Sequence, residues 1–136
     1  MVRISVCAVA VLSLGAISVA GAATDQSGRT GASCRGAVVW QKARQRVGRV
    51  ITVKGPVANT TFASWSTGSP TFLDIGVPYP DPRRVKVVIW IENRASFGRP
   101  ERRYRGHTIC VRGLVELYDD VPEIVARSSN QIAIAR

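Results

Sequence analysis

Lys86, Val88 and Trp90 stand at alternate positions of the chain: a cation, an aliphatic and a large ring. Arg94, Arg99, Arg102, Arg103 and Arg105 follow close behind. On an extended strand alternate side chains share one face, so the first three would present a single surface. The chemistry of such a surface is binding, because rings stack on the bases of single-stranded nucleic acid while cations hold the phosphates. Phe62 and Trp65 supply two further rings in a polar stretch upstream. Lys54 and Arg112 each precede a glycine in two matching ten-residue segments, 48–57 and 106–115, which both read G-x-x-I-x-V-(K/R)-G-x-V. The ligand-binding candidates are therefore Lys54, Phe62, Trp65, Lys86, Trp90, Arg94, Arg99, Arg102, Arg103 and Arg112.

Bond-making chemistry finds little support. His107 is the single histidine, and a zinc site needs several His, Cys or acidic ligands together. No G-x-S-x-G elbow offers a serine nucleophile. Asp119-Asp120 reads as a turn, where aspartate is favoured, and the neighbourhood lacks the further oxygens that calcium requires. Asp74 and Glu92 would approach across neighbouring strands but form no cluster. The expectation is a non-enzymatic protein with no catalytic residues, no metal and no cofactor.

Nineteen basic residues against nine acidic ones give a net charge of +10, a field that attracts polyanions. The partners expected are single-stranded nucleic acid or an anionic envelope polymer, with an exported protein partner as the second possibility. The first 22 residues read as a secretory signal: a positive start at Arg3, an apolar run over 4–19, and small residues at Ala20-Gly21-Ala22. That run is shorter than the roughly 20 residues a bilayer span needs, so the mature chain would have no integral span. The expected location is secreted or cell-envelope. Two cysteines, Cys34 and Cys110, remain after cleavage, and an even number in an exported chain favours a disulfide. The Asn59-Thr-Thr61 sequon receives no role, because the short signal has a bacterial character.

These residues have to be positioned by something. Residues 23–36, rich in Ser, Thr, Gly and Ala, read as a disordered lead-in to a single monomeric domain over 37–136. Trp40, Ala43 and Val47 recur at helical spacing over 39–47, and Gly48 ends that helix. Alternation then predicts strands over 49–58, 71–77, 85–92 and 108–118, with a fifth near Pro122 and a last apolar piece at Ile132–Ile134. The polar stretch 59–70 reads as a binding loop, and Pro100 opens one helical turn before the fourth strand. Five strands, interior glycines that bend two of them, and that insertion fit an all-β, five-stranded OB-fold barrel with an N-terminal helix and a short helical turn between strands three and four. An immunoglobulin-like sandwich would want about seven strands.

The chain resembles the bacterial exported OB-fold domains of the nucleic-acid-binding-like type. The resemblance is carried by Trp40-Gln-Lys-Ala43, Val47-Gly48, Val53-Lys-Gly-Pro-Val57, Pro70-Thr-Phe-Leu-Asp-Ile-Gly76, Tyr79-Pro80, Val87-Val-Ile-Trp90, Tyr104-Arg-Gly106, Val111-Arg-Gly-Leu-Val115, Pro122-Glu-Ile124 and Gln131-Ile132. It covers residues 38 to 132 and implies an OB barrel that binds ligands on its second and third strands and adjoining loops. Its motifs are mostly structural, so it speaks to fold more than to ligand.

Overall fold

Alternating apolar residues along 50–57, 71–75 and 85–89 dictate extended structure, and the chain forms it. The computed structural model describes residues 32–136. The expected signal peptide at 1–22 and the lead-in up to residue 31 lie outside the described residues. The remainder of that lead-in is tethered: Ala32 N donates to Asn130 O at 2.6 Å, and Cys34 is bonded to Cys110. Eight strands follow in order: β1 (Val38–Val39), β2 (Val50–Phe62), β3 (Thr71–Ile75), β4 (Val85–Ile89), β5 (Thr108–Leu114), β6 (Glu116–Tyr118), β7 (Val121–Val125) and β8 (Ile132–Ile134).

The long strand β2 serves two halves. Its first part pairs with β1 and β5, and β8 adds to the far side of β5; this is the return half. Its last part pairs with β3 in a meander that continues through β4 to β7 and β6. The division falls at Ala58, where the register slips between Val57 and Asn59. A bulge of this kind adds twist and turns the strand, so one strand faces two ways.

The expected closed barrel of five strands is corrected. The structure is mostly β with few helices, but the hydrogen-bonded order is β6-β7-β4-β3-β2-β5-β8, with β1 beside β2, and the path has two ends. The cause sits at Val115, in the middle of the expected fourth strand. Its N–H donates to Arg49 O at 3.0 Å and its carbonyl accepts from Gly48 N at 2.8 Å. That residue is committed to the entry of β2, so the chain leaves one partner there and takes up another, pairing β6 with β7. The coarser expectation of an OB-like course holds: a meander, a helical insertion, and a return strand antiparallel to the first.

Two local expectations also change. Trp40–Arg46 is a 3₁₀ helix rather than an α-helix, entered directly from Val38–Val39, which pairs with β2, and ended by the turn at Val47 and Gly48. The strand expected over 85–92 stops at Ile89. Ile91 N donates to Gly68 O at 3.2 Å, and α1 (Ile91–Phe97) starts there, followed by α2 (Pro100–Arg103) with proline in its first turn. The insertion is therefore two helices, and Phe97 and Tyr104 from it are fully buried in the core with Val53, Leu73, Ile89 and Val111.

The repeated glycines prove to be contact positions. A Cβ at Gly55 would lie 2.5 Å from Ile75 Cγ2 and 2.7 Å from Trp40 Cδ1; at Gly113 it would lie 2.5 Å from Ile124 Cγ2. The first absence of a side chain seats Trp40 across β2, and the second lets β7 pack on β5.

Candidate binding groove

On the outer face of the meander half the register sets side chains in rows. Asn59, Asp74, Lys86 and Glu123 face one another across four strands, and Thr61, Phe72, Val88 and Val125 form the next row. Leu73, Ile75, Val85, Val87 and Ile89, the alternate residues, fill the core. Over this floor the segment 63–70 brings Trp65 and Ser66, the turn after β3 brings Tyr79, and the end of β6 brings Tyr118. Together they enclose a groove of about 440 Å³. It continues past Phe72 and Lys86 to Val88, Trp90 and Glu123.

The rings are presented to solvent: Trp65 is 79% exposed, Tyr79 70% and Tyr118 59%. The charges are not. Lys86 Nζ lies 2.6 Å from Glu123 Oε2, and sits 4.5 Å from the Tyr118 ring centre and 5.7 Å from that of Phe72. Arg84 Nε donates to Asp74 Oδ1 at 3.1 Å in a buried pair, and its guanidinium lies 5.1 Å from the Tyr79 ring centre. Asp74 Oδ2 accepts from Tyr79 N at 3.2 Å, which fixes that turn against the floor. In the turn between β3 and β4, outside the groove, Arg83 hydrogen-bonds Asp81 and holds its carboxyl down to about 2. The groove can stack planar groups and offer hydrogen bonds, but its cations are already neutralised. Among the described residues no three His, Cys, Asp or Glu side chains gather as a metal site, and no helix is long and apolar enough to cross a membrane.

The sequence candidates separate into four places. Trp65 and Lys86 line the groove. Trp90 stands at its far end as the N-cap of α1, where a Cβ on Gly68 would meet its ring at 2.9 Å. Phe62 and Arg94 are joined elsewhere: the guanidinium lies 3.8 Å from the Phe62 ring centre, donates to Thr71 Oγ1 at 2.6 Å, and pairs with Glu101 at 2.8 Å. Those hydrogen bonds from Arg94 hold the Glu101 carboxyl below its usual range. Arg99, Arg102 and Arg103 are exposed on the helical insertion and do not line the groove, while Lys54 and Arg112 lie on the return half. His107 is exposed at the entry to β5. The Cys34–Cys110 disulfide is present, with Cα atoms 5.4 Å apart.

Sequence reasoning missed Phe72, Tyr79 and Tyr118. Phe72 follows from the period-2 pattern of 71–75 once Leu73 and Ile75 are assigned to the core. Tyr79 and Tyr118 each adjoin a turn, Pro78 to Pro82 and Asp119-Asp120, and no local signal brings two such turns to one groove.

No family model and no curated protein matches the chain. Several solved structures share part of its backbone course. The Schizosaccharomyces pombe Stn1-Ten1 complex is similar over 65% of this chain and 59% of that one, at 20% identity and a TM-score of 0.47. The OBody AM1L10 bound to hen egg-white lysozyme is similar over 68% of this chain and 84% of that one, at 18% identity and a TM-score of 0.46. A putative aspartyl-tRNA synthetase from Leishmania major Friedlin is similar over 82% of this chain, at 11% identity and a TM-score of 0.48, and the match spans only 22% of the synthetase chain. The likeness in each case is of partial shape, at low identity.

Proposed function

We propose that the protein is an exported, non-enzymatic binding module that takes single-stranded nucleic acid in the groove, with bases stacked on Trp65, Tyr79 and Tyr118. The observation that carries this reading is the convergence of three exposed rings from three separate turns around one floor of β3 and β4. Every base has a π-face, so such platforms accept a strand without reading its sequence. An anionic polymer without rings would leave these platforms unused, which favours nucleic acid over envelope polymers. The net charge of +10 would draw the strand in from a distance. Export is supported by the Cys34–Cys110 bond, which belongs to an oxidising compartment.

Titration with oligothymidylate across a salt series, read by tryptophan fluorescence, tests the proposal. Trp65→Ala should weaken binding about tenfold, the effect of losing one stacked base. The salt slope, about −0.7 for each phosphate contacted, should be shallow because Arg84 and Lys86 already hold carboxylates, so few phosphates are contacted. Absence of binding at low salt would end the idea.

A second reading, a protein-interaction module of the cell envelope, is favoured by that same charge balance. Exposed Trp and Tyr with few free charges are what protein interfaces concentrate at their centres. Capture of an exported protein that survives high salt and nuclease, and fails with Trp65→Ala, would select it.

A further inference from the structure

The return half has its own outer face, and it differs in kind from the groove. Register pairs Val50 with Leu114, Thr52 with Arg112 and Lys54 with Cys110, all pointing away from the core. Val39 on β1 lies beside Lys54 on the same side. The disulfide brings Cys34, and with it Arg35, onto this surface. None of Arg35, Lys54 and Arg112 takes part in an ion pair among the described residues. The strands β1, β2, β5 and β8 contain no aspartate or glutamate at all. Between these cations stand exposed aliphatics: Val50 is 58% exposed, Val39 48% and Leu114 42%.

We propose that this face docks on an anionic lipid bilayer. The cations match acidic headgroups, and the aliphatic side chains between them are of a size to enter the headgroup–acyl boundary. A single-stranded nucleic acid would want rings to stack on, and Val39, Val50 and Leu114 offer none. A duplex would use the cations alone and leave the exposed aliphatics without a purpose.

Flotation of the full chain with phosphatidylcholine vesicles, with and without phosphatidylglycerol, tests this. Residues 1–31 are common to parent and variants, so any affinity of their own cancels in the comparison. The parent should prefer the anionic vesicles, and Lys54→Gln with Arg112→Gln should weaken that binding about thirtyfold, at one surface cation's usual contribution each. Val50→Ser with Leu114→Ser should remove the part of the binding that survives high salt. Near-UV circular dichroism confirms that these exposed substitutions leave the fold intact. Trp65→Ala should leave vesicle binding unchanged, which keeps this test separate from that of the groove. Equal binding of parent and Lys54/Arg112 variant to the anionic vesicles would overturn the proposal. So would duplex DNA binding more tightly than vesicles at the same salt and being lost in the same variant, which would give the face to phosphate backbones.

Discussion

The two outer faces that share β2 divide between them what a nucleic-acid-binding surface ordinarily combines. The meander half holds the exposed rings, and each cation along its groove is bonded to a carboxylate: Arg84 to Asp74 and Lys86 to Glu123. The return half holds Lys54 and Arg112 on strands without a carboxylate, and its outer-face residues Val39, Val50, Thr52, Lys54, Arg112 and Leu114 include no aromatic. The net charge of +10 is therefore not a property of the groove. Stacking and charge attraction are separable here, one to each face, and a charge count over the whole chain cannot say which face a ligand meets.

The sharpest way to break this contrast is to remove the disulfide, which lies on one face only. Cys34→Ser with Cys110→Ser opens a cross-link spanning a separation of 76 residues. It should cost about 4 kcal/mol by loop entropy, measured as the urea midpoint without reductant, while oligonucleotide affinity of the folded fraction stays unchanged. Next comes the buried pair. Asp74→Ala strands the Arg84 guanidinium, whose side chain is 8% exposed, and should cost about 3 kcal/mol, whereas Lys54→Ala on the other face should stay within about 0.5 kcal/mol. Equal costs at the two positions would erase the distinction between tied and untied charge.

The smallest effect is a pH dependence confined to one half. Hydrogen bonds from Arg94 lower the Glu101 carboxyl and those from Arg44 lower Asp120, while Arg83 holds Asp81 at about 2. A lowered carboxyl contributes its stability fully above its ordinary value and loses it as pH falls through the lowered one. Acidification from about pH 4.5 toward 2 should therefore loosen the meander half and the helical insertion. Amide exchange should show β3 and β4 losing protection first, with β5 and β8 retaining theirs. Glu101→Gln should flatten the part of that loss belonging to the insertion.

Much of the scaffold was legible because its signals are local. Alternation located the extended segments around β3, β4 and β5, Pro100 located α2, and Asp119-Asp120 forms a turn with both residues at positive φ. The failures have physical causes that local reading cannot see. β2 seemed to end at Ala58 because the bulge leaves Ala58 and Asn59 exposed in succession and resets the alternation before Thr60. β4 seemed to run on through Trp90 because Ile89, Trp90 and Ile91 are all apolar, so the helix start at Ile91 carries no change of pattern. Of the residues that line the groove, type and spacing pick out Lys86 and Trp65. Their setting is not picked out this way, because the partners of Lys86 are Glu123 and Tyr118, brought up by strands far along the chain.

One strand with two allegiances also sets an order of assembly. The second part of β2 finds β3, and β3 finds β4, across short connections, whereas its first part must wait for β5 to return past β3, β4 and both helices. Non-local pairing is the slow component of folding, since loop closure comes before any contact rewards it. The β3–β4 floor of the groove belongs to the low-contact-order part of the chain, while its β6–β7 wall and the cationic face belong to the high. A chain still being synthesised would hold Trp65, Tyr79 and the β3–β4 floor first, with Tyr118 reaching the groove only after β5 has been made.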